Sequence, residues 1–217
     1  MKIRYWLAAG ALIALLAGPA FYLTQAQVSP QAIQSSVIRG PDLLDRAWQL
    51  PVAASFEGDI AWQSNPSVCG PASVANVFRS LGETETTEAA VLSGTGWCWF
   101  GICPIGLTLD EVADAARLHT QRKVTVLRDL SAAEFQEHLR HANDPGRRYI
   151  INFDREAIFG AGVGHHSPIG GYLEAEDLVF VLDVNRNFQP WLIERERLFA
   201  AMDTLDGQRK RGLLLIE

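Results

Sequence analysis

Apolar residues recur at helical spacing through the first half of the chain and at strand spacing through most of the second, and this order narrows the fold more than any other feature. "PDLLDRAWQL" opens on Pro41 and Asp42 as a helix start does. From Cys69 the positions Val74, Val77, Phe78 and Leu81 keep helical period, and Gly82 supplies the stop. "TLDEVADAARLH" and "SAAEFQEHLRHAND" each begin with capping-box spacing, Thr108 with Glu111 and Ser131 with Glu134. The segments "KVTVLR", "RRYIINF", "HHSPIGGYL", "DLVFVLDV" and "RGLLLIE" read as strands, with one further helix in "ERERLFAAM". Helices first and strands mostly later predict an α+β fold, a helical half packed on an antiparallel sheet. The length of 217 residues suits one domain, and a formal charge of −6 offers no basic surface to nucleic acid.

The first 26 residues differ from the rest. Lys2 and Arg4 precede an apolar run from Tyr5 to Leu23, with a small residue, Ala26, where a cut would fall. Residues 1–26 are therefore read as a signal peptide, or as a membrane anchor if uncleaved, and the protein as exported or periplasmic. An uncleaved segment would tie it to the inner membrane, its only contact with lipid. Residues 27–40, "QVSPQAIQSSVIRG", read as a polar linker, leaving 41–217 as the functional domain. Export bears on the three cysteines, because an odd count leaves one thiol outside any internal disulfide. Cys98 and Cys103 in "GWCWFGICPIG" can pair; two reduced, buried thiols or a metal-binding pair are the alternatives.

Cys69 is the thiol left over, and it sits at a helix start, where free N–H groups stabilise a thiolate. Gly70 would let a substrate backbone come close, and Gln63 could offer an amide donor to an oxyanion. Of the five histidines, His119, His138 and His141 fall on polar helix surfaces; the last two could clip a metal, but no third ligand stands out. His165 and His166 lie in "GAGVGHHSPIGGY", where small residues such as Gly164 leave room for a ligand. A hairpin turning on the three residues Glu174–Glu176 would put His165 and Asp183 on one face, opposite or diagonal, and point His166 the other way. Asp183 ends an apolar run where a charge needs a partner, and beside His165 it would fix the tautomer.

The stretches "QSNPSVCGPAS", "GVGHHSPIGGY", "LVFVLDVNR" and "KRGLLLIE" resemble the catalytic domain of phytochelatin synthases, papain-like cysteine transpeptidases. The similarity runs from about Trp62 to the C-terminus. The resemblance implies a papain-like fold, Cys69 as nucleophile, His165 as general base, Asp183 as its orienting partner and Gln63 as oxyanion donor. Arg186 matches an arginine of the family's L-D-V-x-R segment. Asp206 and Arg211 resemble an acid–arginine pair that holds the zwitterionic ends of the peptide. The chain departs from the pattern in "NFQPW" after Arg186, where an aromatic-lysine-aromatic-proline stretch belongs, and in a short Asp206–Arg211 loop.

The implied reaction is attack of Cys69 on the Cys–Gly amide of glutathione, giving a γ-glutamylcysteinyl thioester that passes to water or to a second glutathione. It requires no organic cofactor and no protein-bound metal; cadmium or zinc would arrive as glutathione thiolates. A homodimer is compatible with the chain. Two other readings are a bacteriocin-processing peptidase, which shares Q-x5-C-G, and a non-catalytic periplasmic binder of thiols or metals.

Overall fold

The computed structural model describes residues 27–217 apart from Phe100 and Ile105; the N-terminal segment read as signal or anchor lies outside the described residues. The chain forms a six-stranded antiparallel sheet of β1 (Val124–Leu127), β2 (Arg148–Asp154), β3 (Gly164–Leu173), β4 (Leu178–Val181), β5 (Trp191–Glu194) and β8 (Gly212–Ile216). Their spatial order is β1-β8-β2-β3-β4-β5, and a separate hairpin pairs β6 (Leu205–Asp206) with β7 (Arg209–Lys210). The strands β2, β3, β4 and β8 are buried on both faces, while the edge strand β1 is only half-buried.

Strand alternation decides what each face meets. On one face Ile150, Phe180, Leu182, Leu214 and Ile216 pack against the helices of the first half: α2 (Pro41–Trp48), α3 (Pro51–Ala54), α4 (Cys69–Ser80), α5 (Glu88–Leu92) and α6 (Leu109–Leu118). On the other, Tyr149, Ile151, Phe153, Val179, Val181 and Leu213 meet α1 (Pro30–Ser36), α7 (Ala132–Arg140), α8 (Arg155–Phe159) and α9 (Arg195–Met202). The α+β arrangement read from the sequence is therefore present, with a second helical layer behind the sheet. Both capping boxes form: Thr108 and Ser131 each accept from the N–H three residues on, and Glu111 and Glu134 return the bond.

α4 runs through the middle of the first layer, buried from Cys69 to Phe78. Asn76, itself 1% exposed, accepts from Ala61 N–H at 2.9 Å and donates to Ala61 O at 2.8 Å, fixing the extended segment that leads to Gln63. A Cβ on Gly70 would overlap Val112 of α6, so this glycine answers to helix–helix packing; the sequence reading gave it to substrate.

Residues 27–40 are not a polar linker. Ser29 caps α1 by accepting from Ala32 N–H, Ile33 and Val37 are buried against the second face, and Ile38 forms an antiparallel bridge with Leu192. The polar residues that suggested a linker are the exposed side of a short amphipathic helix. Ile33→Ala is expected to lower unfolding stability by about 2 kcal/mol, seen as a lower urea midpoint; a linker residue would leave the midpoint unmoved.

Candidate active site

The structure gathers Cys69, His165, His166 and Asp183 at the end of β3. Cys69 is the first residue of α4, and its N-cap, Val68, has no side-chain oxygen to cover the first-turn N–H groups. Those uncapped donors and the helix dipole favour a negative sulfur. Ser73, one turn on, ties the helix to the strand: its hydroxyl lies 2.8 Å from Cys69 O and 3.0 Å from His166 O.

His165 and Asp183 share a face, but by a different route from the one the sequence suggested. Leu173 pairs with Leu178 and Gly171 with Phe180, partners of unlike parity, because the turn holds four residues, Glu174 to Asp177. A bulge at Gly170–Gly171 inserts one more residue, and from Ile169↔Val181 onward like parity returns. The two offsets cancel. Gly171 has φ +148°, and a Cβ there would overlap Asn143 and Leu50, so the bulge is built for glycine.

Asp183 is fully buried and surrounded by donors. His165 Nε2 lies 3.1 Å from Oδ1, Trp191 Nε1 donates to Oδ2 at 3.2 Å and Asn185 N–H to Oδ1 at 2.9 Å. The strongest partner is one that sequence reading missed: Arg155 Nη2 donates to both carboxylate oxygens at 2.8 Å. Arg155 is 5% exposed, and its guanidinium carbon lies 3.3 Å from the centre of the Phe188 ring. Burial alone would raise the Asp183 pKa, but the charges of Arg155 and His165, with the hydrogen bonds of His165 and Asn185, bring it down to about 2. An arginine at the start of a helix after a strand gives no one-dimensional signal of this role. Its only hint is "NFDRE", a charge directly after an apolar strand.

His166 corrects the second half of the parity argument. It faces α4, opposite Asn152 of β2, but does not point away from the site: its Nδ1 lies 3.7 Å from Cys69 Sγ. Both imidazoles act on the sulfur, His166 from 3.7 Å and His165 through its charge and a hydrogen bond. Burial would raise the Cys69 pKa, yet the charge and hydrogen bond of His165, then those of His166, hold it well below an ordinary thiol. For His165, burial and the Arg155 charge push the pKa down, while Asp183 and Cys69 outweigh them and leave it raised. Both shifts, the thiol's downward and the imidazole's upward, favour the thiolate–imidazolium form of the pair. His165 is the better partner, since Asp183 sustains its charge.

Gln63 lies on the loop before α4. Its N–H donates to Val184 O at 2.8 Å, one residue past Asp183, and its Nε2 donates to Asn65 O at 3.0 Å. A primary amide has two N–H bonds, so one remains for an oxyanion.

Asp206 and Arg211 come together as expected, 3.4 Å apart, and Asn152 joins them, donating to Asp206 Oδ2 and accepting from Arg211 Nη1, each at 3.0 Å. Gly164 packs directly beneath the Arg211 guanidinium, which a Cβ there would displace. Asp206 also lines a pocket of about 420 Å³ with Trp97, Leu107 and Glu111. Arg186 is exposed, and its side chain makes no hydrogen bond or ion pair among the described residues, so the structure does not bring it into this cluster. Cys98 and Cys103 are joined as a disulfide and Cys69 is free. His138 faces the Tyr149 hydroxyl at 3.3 Å and His141 the Asp144 carboxylate at 2.9 Å.

A helix-borne thiol facing an imidazole–carboxylate pair on an antiparallel sheet defines a papain-like cysteine fold. Two solved structures share it: the peptidase domain of Streptococcus ComA, a bifunctional ABC transporter involved in a quorum-sensing pathway, at TM-score 0.50 and 16% identity, covering 71% of this chain and 93% of that one, and a putative C39-like peptidase from Bacillus anthracis at TM-score 0.56 and 12% identity, covering 75% and 95%. A profile of the phytochelatin synthase family matches residues 23–213, and the chain belongs to that family. It is 28% identical to glutathione gamma-glutamylcysteinyltransferase 2 of Arabidopsis thaliana over 89% of this chain and 46% of that protein. To the glutathione gamma-glutamylcysteinyltransferase of Schizosaccharomyces pombe it is 25% identical, over 91% and 51%. The chain spans about half the length of these curated relatives.

Four outcomes are expected from this geometry. Alkylation of Cys69 by iodoacetamide should begin to rise at a pH well below that of an ordinary thiol. In Asp183→Asn that limb should move to higher pH, because the His165 charge loses its support. Arg155→Met should raise the His165 pKa further by removing a repelling charge, moving the alkaline limb of activity upward. It should also lower stability by on the order of 3 kcal/mol by leaving Asp183 short of a partner, read as a lower denaturation midpoint.

Proposed function

We propose that the protein is a glutathione-directed acyltransferase. The Cys69 thiolate attacks the carbonyl of the Cys–Gly amide, and the developing oxyanion is held by the first-turn N–H groups of α4 and by Gln63. His165, protonated and oriented by Asp183, gives its proton to the departing glycine nitrogen, leaving a γ-glutamylcysteinyl thioester on Cys69. His165 then takes a proton from the incoming nucleophile, water or the amine of a second glutathione, and the acyl group leaves the sulfur. The reading is carried by the Cys69–His165–Asp183 array in a chain of this family. The Asp206–Arg211–Asn152 cluster offers both signs of charge to a zwitterionic peptide end.

Cadmium or zinc takes part as substrate, in the form of glutathione thiolates. The basic-then-apolar pattern of residues 1–26 supports a location outside the cytoplasm, periplasmic or held at the inner membrane. Transfer to glutathione needs a site that holds the acceptor and excludes water, whereas hydrolysis needs none. In this chain Phe188, in the segment where a lysine belongs, turns inward onto Arg155, and Arg186 stands free in solvent. Hydrolysis is therefore the favoured outcome.

Incubation with glutathione followed by mass spectrometry tests both points. Free glycine and γ-glutamylcysteine should exceed the glycine-capped dimer at low millimolar glutathione, with or without cadmium, and Cys69→Ala should abolish both. Dominant dimer would mean an intact acceptor site, and no cleavage would refute the substrate. His165→Ala should cost far more than His166→Ala in kcat, since only His165 is backed by Asp183.

A further inference from the structure

The loop between Cys98 and Cys103 is bonded through its backbone to the segment that leads into Cys69. Asn65 Nδ2 donates to Gly101 O at 2.9 Å, and Cys103 N–H donates to Ser67 Oγ at 3.0 Å. Asn65 Oδ1 in turn accepts from Ser67 N–H at 3.0 Å and from Ser67 Oγ at 2.6 Å, closing a small network around the loop. The backbone oxygen of the same Asn65 takes the Gln63 Nε2 proton at 3.0 Å. Among the described residues Gln63 Oε1 is buried without a partner, so the bond to Asn65 O is the side-chain contact that orients this amide. With six residues closed by one bond, the loop has little freedom to move away from Asn65.

We propose that the Cys98–Cys103 disulfide is a positioning element for catalysis: through Asn65 it holds the Gln63 amide with one N–H turned toward the carbonyl oxygen that becomes negative when Cys69 is acylated. The proposal rests on the acyl-transfer reading for its purpose but not for its measurement. The disulfide undergoes no change in the reaction cycle; it fixes a donor in advance, so that no reorientation is needed when charge develops.

Two reactions of the same sulfur separate this role from a general structural one. Acylation of Cys69 by p-nitrophenyl acetate passes through an oxyanion, and the burst of nitrophenolate reports its rate. Alkylation by iodoacetamide is a displacement at carbon with no oxyanion. In Cys98→Ser/Cys103→Ser, where Cys69 is the sole cysteine, the burst should slow about tenfold or more, up to the roughly 10²–10³-fold cost of losing one oxyanion donor outright, while alkylation stays within about twofold. Asn65→Ala, which cuts the strap with the disulfide in place, should act alike. In a Gln63→Ala background the two serines should change neither rate. Reduction of the wild-type protein by a phosphine, then reoxidation, should slow and restore the burst, covering the case in which the serine variant fails to fold. An unchanged burst, a parallel fall in both rates, or an effect that persists in Gln63→Ala would overturn the proposal. Because neither reagent is glutathione, a failure to cleave glutathione refutes the functional reading and leaves this measurement standing.

Discussion

The buried carboxylate of Asp183 is the charge around which the site is assembled. Removed from water, it is tolerable only because Arg155, His165, Trp191 and the Asn185 N–H converge on it. Arg155 and His165 compete for it. With Arg155 permanently charged, Asp183 is already neutralised when His165 has lost its proton, and the cluster stays balanced. When the proton sits on His165, the Cys69 thiolate balances it. Moving a proton between Cys69 and His165 therefore leaves the net buried charge unchanged. Any transfer within the pair conserves charge; what Arg155 adds is that the conserved net charge is zero, where Cys69, His165 and Asp183 alone would leave one buried negative charge unbalanced.

The supporting structure keeps these groups at the end of the sheet. α4 brings Cys69 there with its first turn uncapped, Ser73 stitches the helix to β3, and Asn76 pins the approach to Gln63. Each is a buried polar residue on the one helix whose every position from Cys69 to Phe78 is enclosed. Specificity of placement here comes from hydrogen bonds, and the apolar packing around them makes each costly to break.

Much of this was legible in one dimension, for identifiable reasons. Helix starts announce themselves through capping boxes, and Cys69, His165 and Asp183 sit in short stretches whose composition is unusual. What lay out of reach depended on tertiary pairing. Arg155 needs the fold to bring the end of β2 beside the β4–β5 connection, and Asn152 needs the register that sets it across from His166. Residues 27–40 looked polar because a single turn of buried Ile33 and Val37 is too short to show a period. Neighbouring residues on a strand do point to opposite faces, and His166 obeys that rule: its face is the one that meets α4 and Cys69, a placement of helix against sheet that strand parity alone does not give.

The four-residue turn and the Gly170–Gly171 bulge have a consequence for how this hairpin can change length. Counted in residues, each by itself offsets the parity of facing partners; together they restore it. A single-residue insertion or deletion within the paired stretches, at Tyr172 or Val179 for example, turns the residues beyond it to the other face unless the bulge is lost with it, whereas one in the Glu174–Asp177 turn changes only the length of the loop.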